Sequence, residues 1–249
     1  KNDYLRLDLQ EQIAKELNIE HRGFPDKLDA LFFWAFNDKE LIVEILERVI
    51  FELKNRFNGK SYKPVWEYSF LTEREDGLEI IYPWFKNFIL QDKKSGGKIF
   101  HFQARAGINF TPASRAILRR EFSLLKPGLK KSLIELFDMG NKPSVVVEEL
   151  KGIGELKSVF PELDSSFYIG ERDGYHFYTV GWHSIRCLQR IEGFEKEPEF
   201  GDEPEIDWRI LKLSGLIHDL GKTRAGDHTK NGVEIAGKVS ARLGLSPSA

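Results

Sequence analysis

Three residues of this sequence are of the right types and spacing to work together. His183 lies in a stretch of helical pattern, and the adjacent pair His218–Asp219 follows thirty-five residues later at the end of another. Neutral imidazole nitrogens and carboxylate oxygens are the ligands that suit a hard or borderline divalent metal. A His–Asp pair lets one helical turn deliver two ligands to one ion, and a second helix must bring the third, which His183 is placed to do. Gly221 comes directly after the pair, ending the helix and opening space beside the metal. Lys222 and Arg224 then offer cations suited to phosphoryl oxygens. Asp227–His228 comes next, placed to reach a second metal or to donate a proton. The cofactor such a set calls for is a divalent metal: Mn2+, Mg2+ or Fe2+. A bound metal lowers the pKa of water so that hydroxide forms near neutral pH. Basic residues stabilise the charge that builds on phosphoryl oxygens. The chemistry is therefore metal-assisted hydrolysis, with Lys222, Arg224 and His228 as its catalytic side chains.

The competing explanation is chance. A His–Asp dipeptide is common, and a single helical histidine is more often on the surface or packed than a ligand. The conjunction decides between them. Leu216-Ile217-His218-Asp219-Leu220-Gly221-Lys222 sets polar residues straight after an apolar run. A helix buried up to its ligands has that pattern, and a solvated face does not. Phe177, Tyr178 and Trp182 near His183 read as core packing. His21 and His101 have no partners in the pattern, and His176 lies close to His183 but before its helix.

These residues need helices to hold them. Helical periodicity marks Val180 to Ile191, Trp208 to Leu220 and Thr229 to Leu243, with a solvated acidic loop from Glu195 to Glu205. Upstream, helices are expected over Leu7–Leu17, around Leu28–Ala35 and over Lys39–Phe57, the last closed by Asn58-Gly59. Thr111-Pro112 opens a helix to Leu125 that Pro127-Gly128 interrupts, with a short helix over Leu129–Phe137. Val145 to Phe160 reads as a helical pair ending at Pro161. Between Lys60 and Pro112 aromatics dominate. Phe88–Leu90 and Lys98–Phe102 are expected to pair as a small hairpin around Ser95-Gly96-Gly97. The fold class is thus mainly α with a small β hairpin. Residues 1–164 are expected to form a helical linker domain with an aromatic-rich insert at about 60–112, and residues 165–249 a further all-α domain.

Composition narrows the setting. The chain has 249 residues, 41% hydrophobic and 31% charged, enough to bury a real core. A formal net charge of −2 gives no polyanion-binding surface, so a nucleic-acid partner is not favoured. No run approaches the roughly 18 apolar residues of a membrane span. A single cysteine, Cys187, excludes an internal disulfide and fits the cytoplasm. A chain that starts at Lys1 is expected to be a piece of a longer protein.

Two blocks carry a resemblance. Ile217 to Lys222 resembles the HD superfamily of phosphohydrolases. Tyr175-His176-Phe177-Tyr178-Thr179-Val180-Gly181-Trp182-His183-Ser184-Ile185-Arg186, together with Gly226-Asp227-His228, is similar to the HD domain of the bacterial PII uridylyltransferase/uridylyl-removing enzymes. Leu7 to Ala14, Ser114 to Ile117 and Val159 to Glu162 are similar to that family's helical linker region. The resemblance implies His183, His218 and Asp219 as metal ligands, removal of a uridylyl group as the reaction and a PII-type signalling protein as the partner. Other HD proteins hydrolyse nucleotides, (p)ppGpp or cyclic dinucleotides, so a nucleotide substrate stays open. A helical scaffold without chemistry is the third reading. The family's nucleotidyltransferase motif does not occur in this sequence. The further aspartate that closes the family's metal site is expected downstream of the chain, since Asp227 is too near the pair, and the HD domain is read as truncated.

Overall fold

The computed structural model describes residues 63–64, 70–92, 94–170, 178–197, 199–200 and 206–245. The helices expected over 7–17, 28–35 and 39–57, together with His21 and the block Tyr175–Phe177, lie outside them.

The β structure is small and lies earlier than expected. Strands β2 (Leu71–Arg74) and β3 (Gly77–Ile80) form a hairpin in which Leu71 faces Ile80 and Arg74 faces Gly77. The two-residue strand β1 (Lys63–Pro64) pairs antiparallel with β2. The expected hairpin over Phe88–Phe102 is instead two helices, α1 (Tyr82–Gln91) and α2 (Ser95–Ala106). The supposed turn glycines serve close packing: a Cβ on Gly96 would sit 1.8 Å from the carbonyl oxygen of Leu125. Only glycine lets helix α2 approach the next helix that closely.

That next helix, α3 (Pro112–Lys131), starts at Thr111, whose hydroxyl accepts the amide of Ser114 at 3.3 Å. It runs straight through Pro127, where a break was expected. Proline removes the bond to the carbonyl four residues back, but Ser123 and Pro127 are both exposed, so water meets the loss. On the other face Leu118, Phe122, Leu125 and Leu129 are buried. Their burial, at about 1.5–3 kcal/mol per large apolar side chain, outweighs the proline's cost of about 3 kcal/mol.

A 3-10 turn (Ile134–Phe137) leads to α4 (Pro143–Gly152), and two single-turn helices follow, α5 (Leu156–Val159) and α6 (Pro161–Asp164). A second 3-10 turn (Ser165–Tyr168) brings the chain to α7 (Val180–Phe194). Helix α8 (Trp208–Ile217), a 3-10 turn (Leu220–Thr223) and α9 (His228–Leu243) complete the described fold. It is mainly α with a small antiparallel hairpin, as the sequence suggests.

One buried apolar cluster runs from Phe70 to Val239, across residue 164 without a gap. Polar ties reinforce that continuity. Glu192 on α7 accepts the amide of Ser144 at 2.8 Å and its hydroxyl at 2.6 Å, capping the start of α4 from a neighbouring helix. Gln189 donates to Glu148 at 2.8 Å. Arg242 on α9 forks onto Glu162 on α6 at 2.8 and 2.7 Å. Glu195, expected in a solvated loop, is buried and pairs with Lys212 at 2.8 Å. The helix α7 simply runs longer than its apolar pattern, and its end turns inward.

A candidate metal centre at the end of helix α8

Helix α7 places His183 one turn from its start, with the His183 amide bonded to the Thr179 carbonyl at 2.9 Å. Thr179 itself is fixed by a bridge to Gly170. Ile185 and Leu188 bury the opposite side of α7, and His183 lies on a half-exposed face. Helix α8 ends at Ile217, with His218 as its cap and Asp219 one residue beyond. Leu213, Leu216 and Leu220 anchor that end in the core. The His218–Asp219 pair therefore emerges where a buried helix stops.

The atoms converge. Asp219 Oδ2 lies 3.5 Å from His183 Nε2, 3.3 Å from His218 Nε2 and 3.0 Å from Lys222 Nζ. One nitrogen or oxygen from each of His183, His218 and Asp219 falls within 4.8 Å of the others. The two imidazole rings stand 5.3 Å apart, centre to centre. His218 Nδ1 is 2.9 Å from the carbonyl of Gly215. A carbonyl only accepts, so Nδ1 is the donor, and in the neutral ring this leaves Nε2, the atom facing Asp219, as the one with a lone pair for a metal. That is the tautomer a metal-binding imidazole needs, held by a backbone bond of the kind that orients such ligands. The donor set fits a divalent cation.

Beyond the pair, the chain turns through Leu220–Thr223 into α9. The turn is tight because Gly221 has no side chain: a Cβ there would meet the His228 carbonyl at 2.0 Å and the Gly232 amide at 2.7 Å. Asp227 caps α9, accepting the amides of Thr229 at 2.9 Å and Lys230 at 3.1 Å. A cleft of about 560 Å³ opens beside the metal-type cluster, lined among others by His218, Asp219, Lys222, His228 and Val233. Its size is in the range of small-molecule sites.

The structure thus brings His183, His218, Asp219 and Lys222 together and sets His228 on the same cleft. Arg224 does not line it and pairs with Glu234 at 3.2 Å. Two residues escaped the sequence reading. Cys187 lies one turn after His183 on α7, and burial together with the Asp219 charge pushes its thiol pKa up, so it stays protonated. Ser184 is fully buried beside His183. A helical wheel puts Cys187 on the His183 face, four residues on, and that was the available signal.

Residues 180–248 match the family model described as HD domain. That span holds all six candidate site residues. The chain is 23% identical to a bifunctional uridylyltransferase/uridylyl-removing enzyme of Novosphingobium aromaticivorans, covering 98% of this chain and 29% of the relative. The same holds for the enzyme so named in Ruegeria pomeroyi, at 23% identity over 98% of this chain and 29% of that protein. A third, in Cereibacter sphaeroides, is 26% identical over 75% of this chain and 21% of its own length. The chain spans less than a third of the length of these curated relatives. No solved structure matches it. The resemblance to HD phosphohydrolases is borne out over residues 180–248, and the relatives extend it over nearly the whole chain.

Proposed function

We propose that this chain contributes the hydrolytic part of a uridylyl-removing enzyme: a metal-dependent phosphodiesterase that takes a uridylyl group off a PII-type signalling protein. The observation that carries the reading is the meeting of Asp219 Oδ2 with two imidazole nitrogens and the Lys222 ammonium within 3.5 Å. The relatives' names supply the uridylyl group, and the PII-type partner is what the family resemblance implies.

In this reading His183, His218 and Asp219 hold a divalent metal, Mn2+, Mg2+ or Fe2+. When bound, the metal supplies a water acidified to near-neutral pKa. The chain's own residues do the rest. The Gly215 carbonyl keeps the His218 proton on Nδ1. Lys222, whose ammonium lies 3.0 Å from Asp219 Oδ2 at the edge of the cleft, would hold a phosphoryl oxygen as charge grows there. His228 stands at the opening of α9 on the same cleft, and as an imidazolium it can give a proton to the leaving oxygen. Arg224 joins as a second phosphate contact only if its pairing with Glu234 opens. Residues 1–164 act as the helical linker that holds this unit, residues 165–249, against the rest of the parent protein in the cytoplasm.

The test uses the intact parent protein. His218→Ala with Asp219→Ala is expected to lose bound Mn2+ and to stop release of UMP from uridylylated PII. Unchanged turnover in that double variant sinks the reading. Running (p)ppGpp and cyclic dinucleotides beside uridylylated PII separates the substrate from the chemistry, because an HD nucleotide hydrolase would cleave those and leave PII modified.

A further inference from the structure

A second cleft, of about 610 Å³, lies away from the metal-type cluster, between α2, the end of α3 and the segment 135–141. Its lining shares no residue with the first cleft. Lys94, Lys98, Arg105 and Lys131 all border it, with Glu135 and Asp138 as the acidic members. The acids are largely answered. Asp138 is bound by Arg209 from outside the lining at 2.5 Å, and Glu135 lies 3.3 Å from the His101 ring. Asp92 in turn sits on Lys98. With Arg209 behind them the cations outnumber the carboxylates among the described residues of this region, in a chain whose overall formal charge is −2. Walls of low polarity strengthen such a field inside a cleft. Those walls are present: Phe102 packs on the core and carries the Arg105 guanidinium 5.8 Å from its ring centre, and the Met139 side chain is 62% exposed at the rim. An exposed methionine beside an aromatic ring is an adaptable apolar surface.

We infer that this cleft binds a nucleoside phosphate, its phosphates held by Lys98, Arg105 and Lys131 and its base set against Phe102 and Met139. Cations alone would serve any anion; the apolar wall selects one that carries a flat ring. The volume fits a ligand of that size. Ligands here would also meet the segment whose Asp138 and Asn141 carbonyls accept Lys212 Nζ at 3.0 and 2.9 Å, and Lys212 belongs to α8, the helix that ends in His218.

The experiment is calorimetric titration of the full chain with ATP, in EDTA so that a metal-held nucleotide at the other site does not count. Adenosine and inorganic phosphate are run as separate probes. ATP is expected to bind with a dissociation constant below about 1 mM, to weaken as salt is raised, and to bind at least about tenfold better than either probe. Lys131→Glu and Met139→Glu, both at exposed positions that leave the core intact, should each weaken it by about tenfold or more. His218→Ala with Asp219→Ala should leave it unchanged. Absence of ATP binding overturns the inference. So does binding that survives both charge variants, binding lost with His218 and Asp219, or phosphate alone binding as well as ATP.

Discussion

Lys212 and Glu195 form an ion pair at 2.8 Å with both side chains shut off from solvent. The ammonium also donates to the carbonyls of Asp138 and Asn141, and Glu195 accepts the amide of Gly140 at 3.0 Å. A buried charge is tolerated only when its partners are this complete. Lys212→Met strands Glu195 and is expected to cost about 3–5 kcal/mol. Lys212→Met with Glu195→Gln should cost clearly less than the single change. Urea unfolding of the three proteins measures both, and additive losses would show that the two residues do not act as a pair.

Gly221 sets the distance between the metal-type cluster and α9. Gly221→Ala pushes a methyl group into the backbone of His228 and Gly232, which cannot swing aside as a side chain can. The expected loss is about 1–3 kcal/mol or more. Hydrolysis should fall further than stability accounts for, because His228 moves with the start of α9. Activity and melting temperature measured on the same preparation separate the two effects.

Asp227 is a helix cap in this fold. Asp227→Ala should lower stability by about 1 kcal/mol and leave the metal content unchanged, whereas a ligand would lose metal. Thermal melting and metal analysis read the two outcomes.

Burial pushes the pKa of Glu192 above the ordinary glutamate value of 4.5, against the opposing bonds from Ser144. Glu149, buried on α4 beside Arg115, is raised for the same first reason. A raised folded pKa means the folded protein holds these protons more tightly than the unfolded chain does. Their contribution is therefore full below the ordinary glutamate value and declines as pH rises through the raised one. Glu192→Gln should flatten the pH dependence of stability on the alkaline side of 4.5. Denaturation midpoints across that range are the measurement, and an unchanged slope would mean that Glu192 titrates normally.

The His183, His218 and Asp219 cluster was legible because its parts are local. Apolar periodicity gave α7, α8 and α9 nearly as they stand, and an apolar run ending in His218–Asp219 marked a buried helix stopping at that pair. What failed depends on contacts far along the chain. Gly96 and Gly97 carry a turn composition, but their meaning is the passage of α3 beside α2. Phe85 and Ile89, then Ile99, Phe100, Gln103 and Ala104, are buried at helical spacing, and glycine outweighed that signal. Pro127 was read as a break because nothing local reveals that the Ser123 carbonyl it leaves unbonded lies on the exposed face. Glu195 looked solvated among other acids, since its partner Lys212 is seventeen residues further on. Arg224 follows the pair closely enough to suggest a shared site, yet a turn of backbone sends it to Glu234.

The shared interior of residues 70–239 bears on how such a unit can be inherited. Helix α4 takes its cap from Glu192, and α9 is pinned to Glu162, so the segment from α7 to α9 is no portable cassette. Grafted onto a foreign scaffold at residue 164, it would carry a raw apolar flank, a Glu192 parted from Ser144 and an Arg242 parted from Glu162. Recombination that kept the metal-type cluster folded would have to move α4 to α6 along with it.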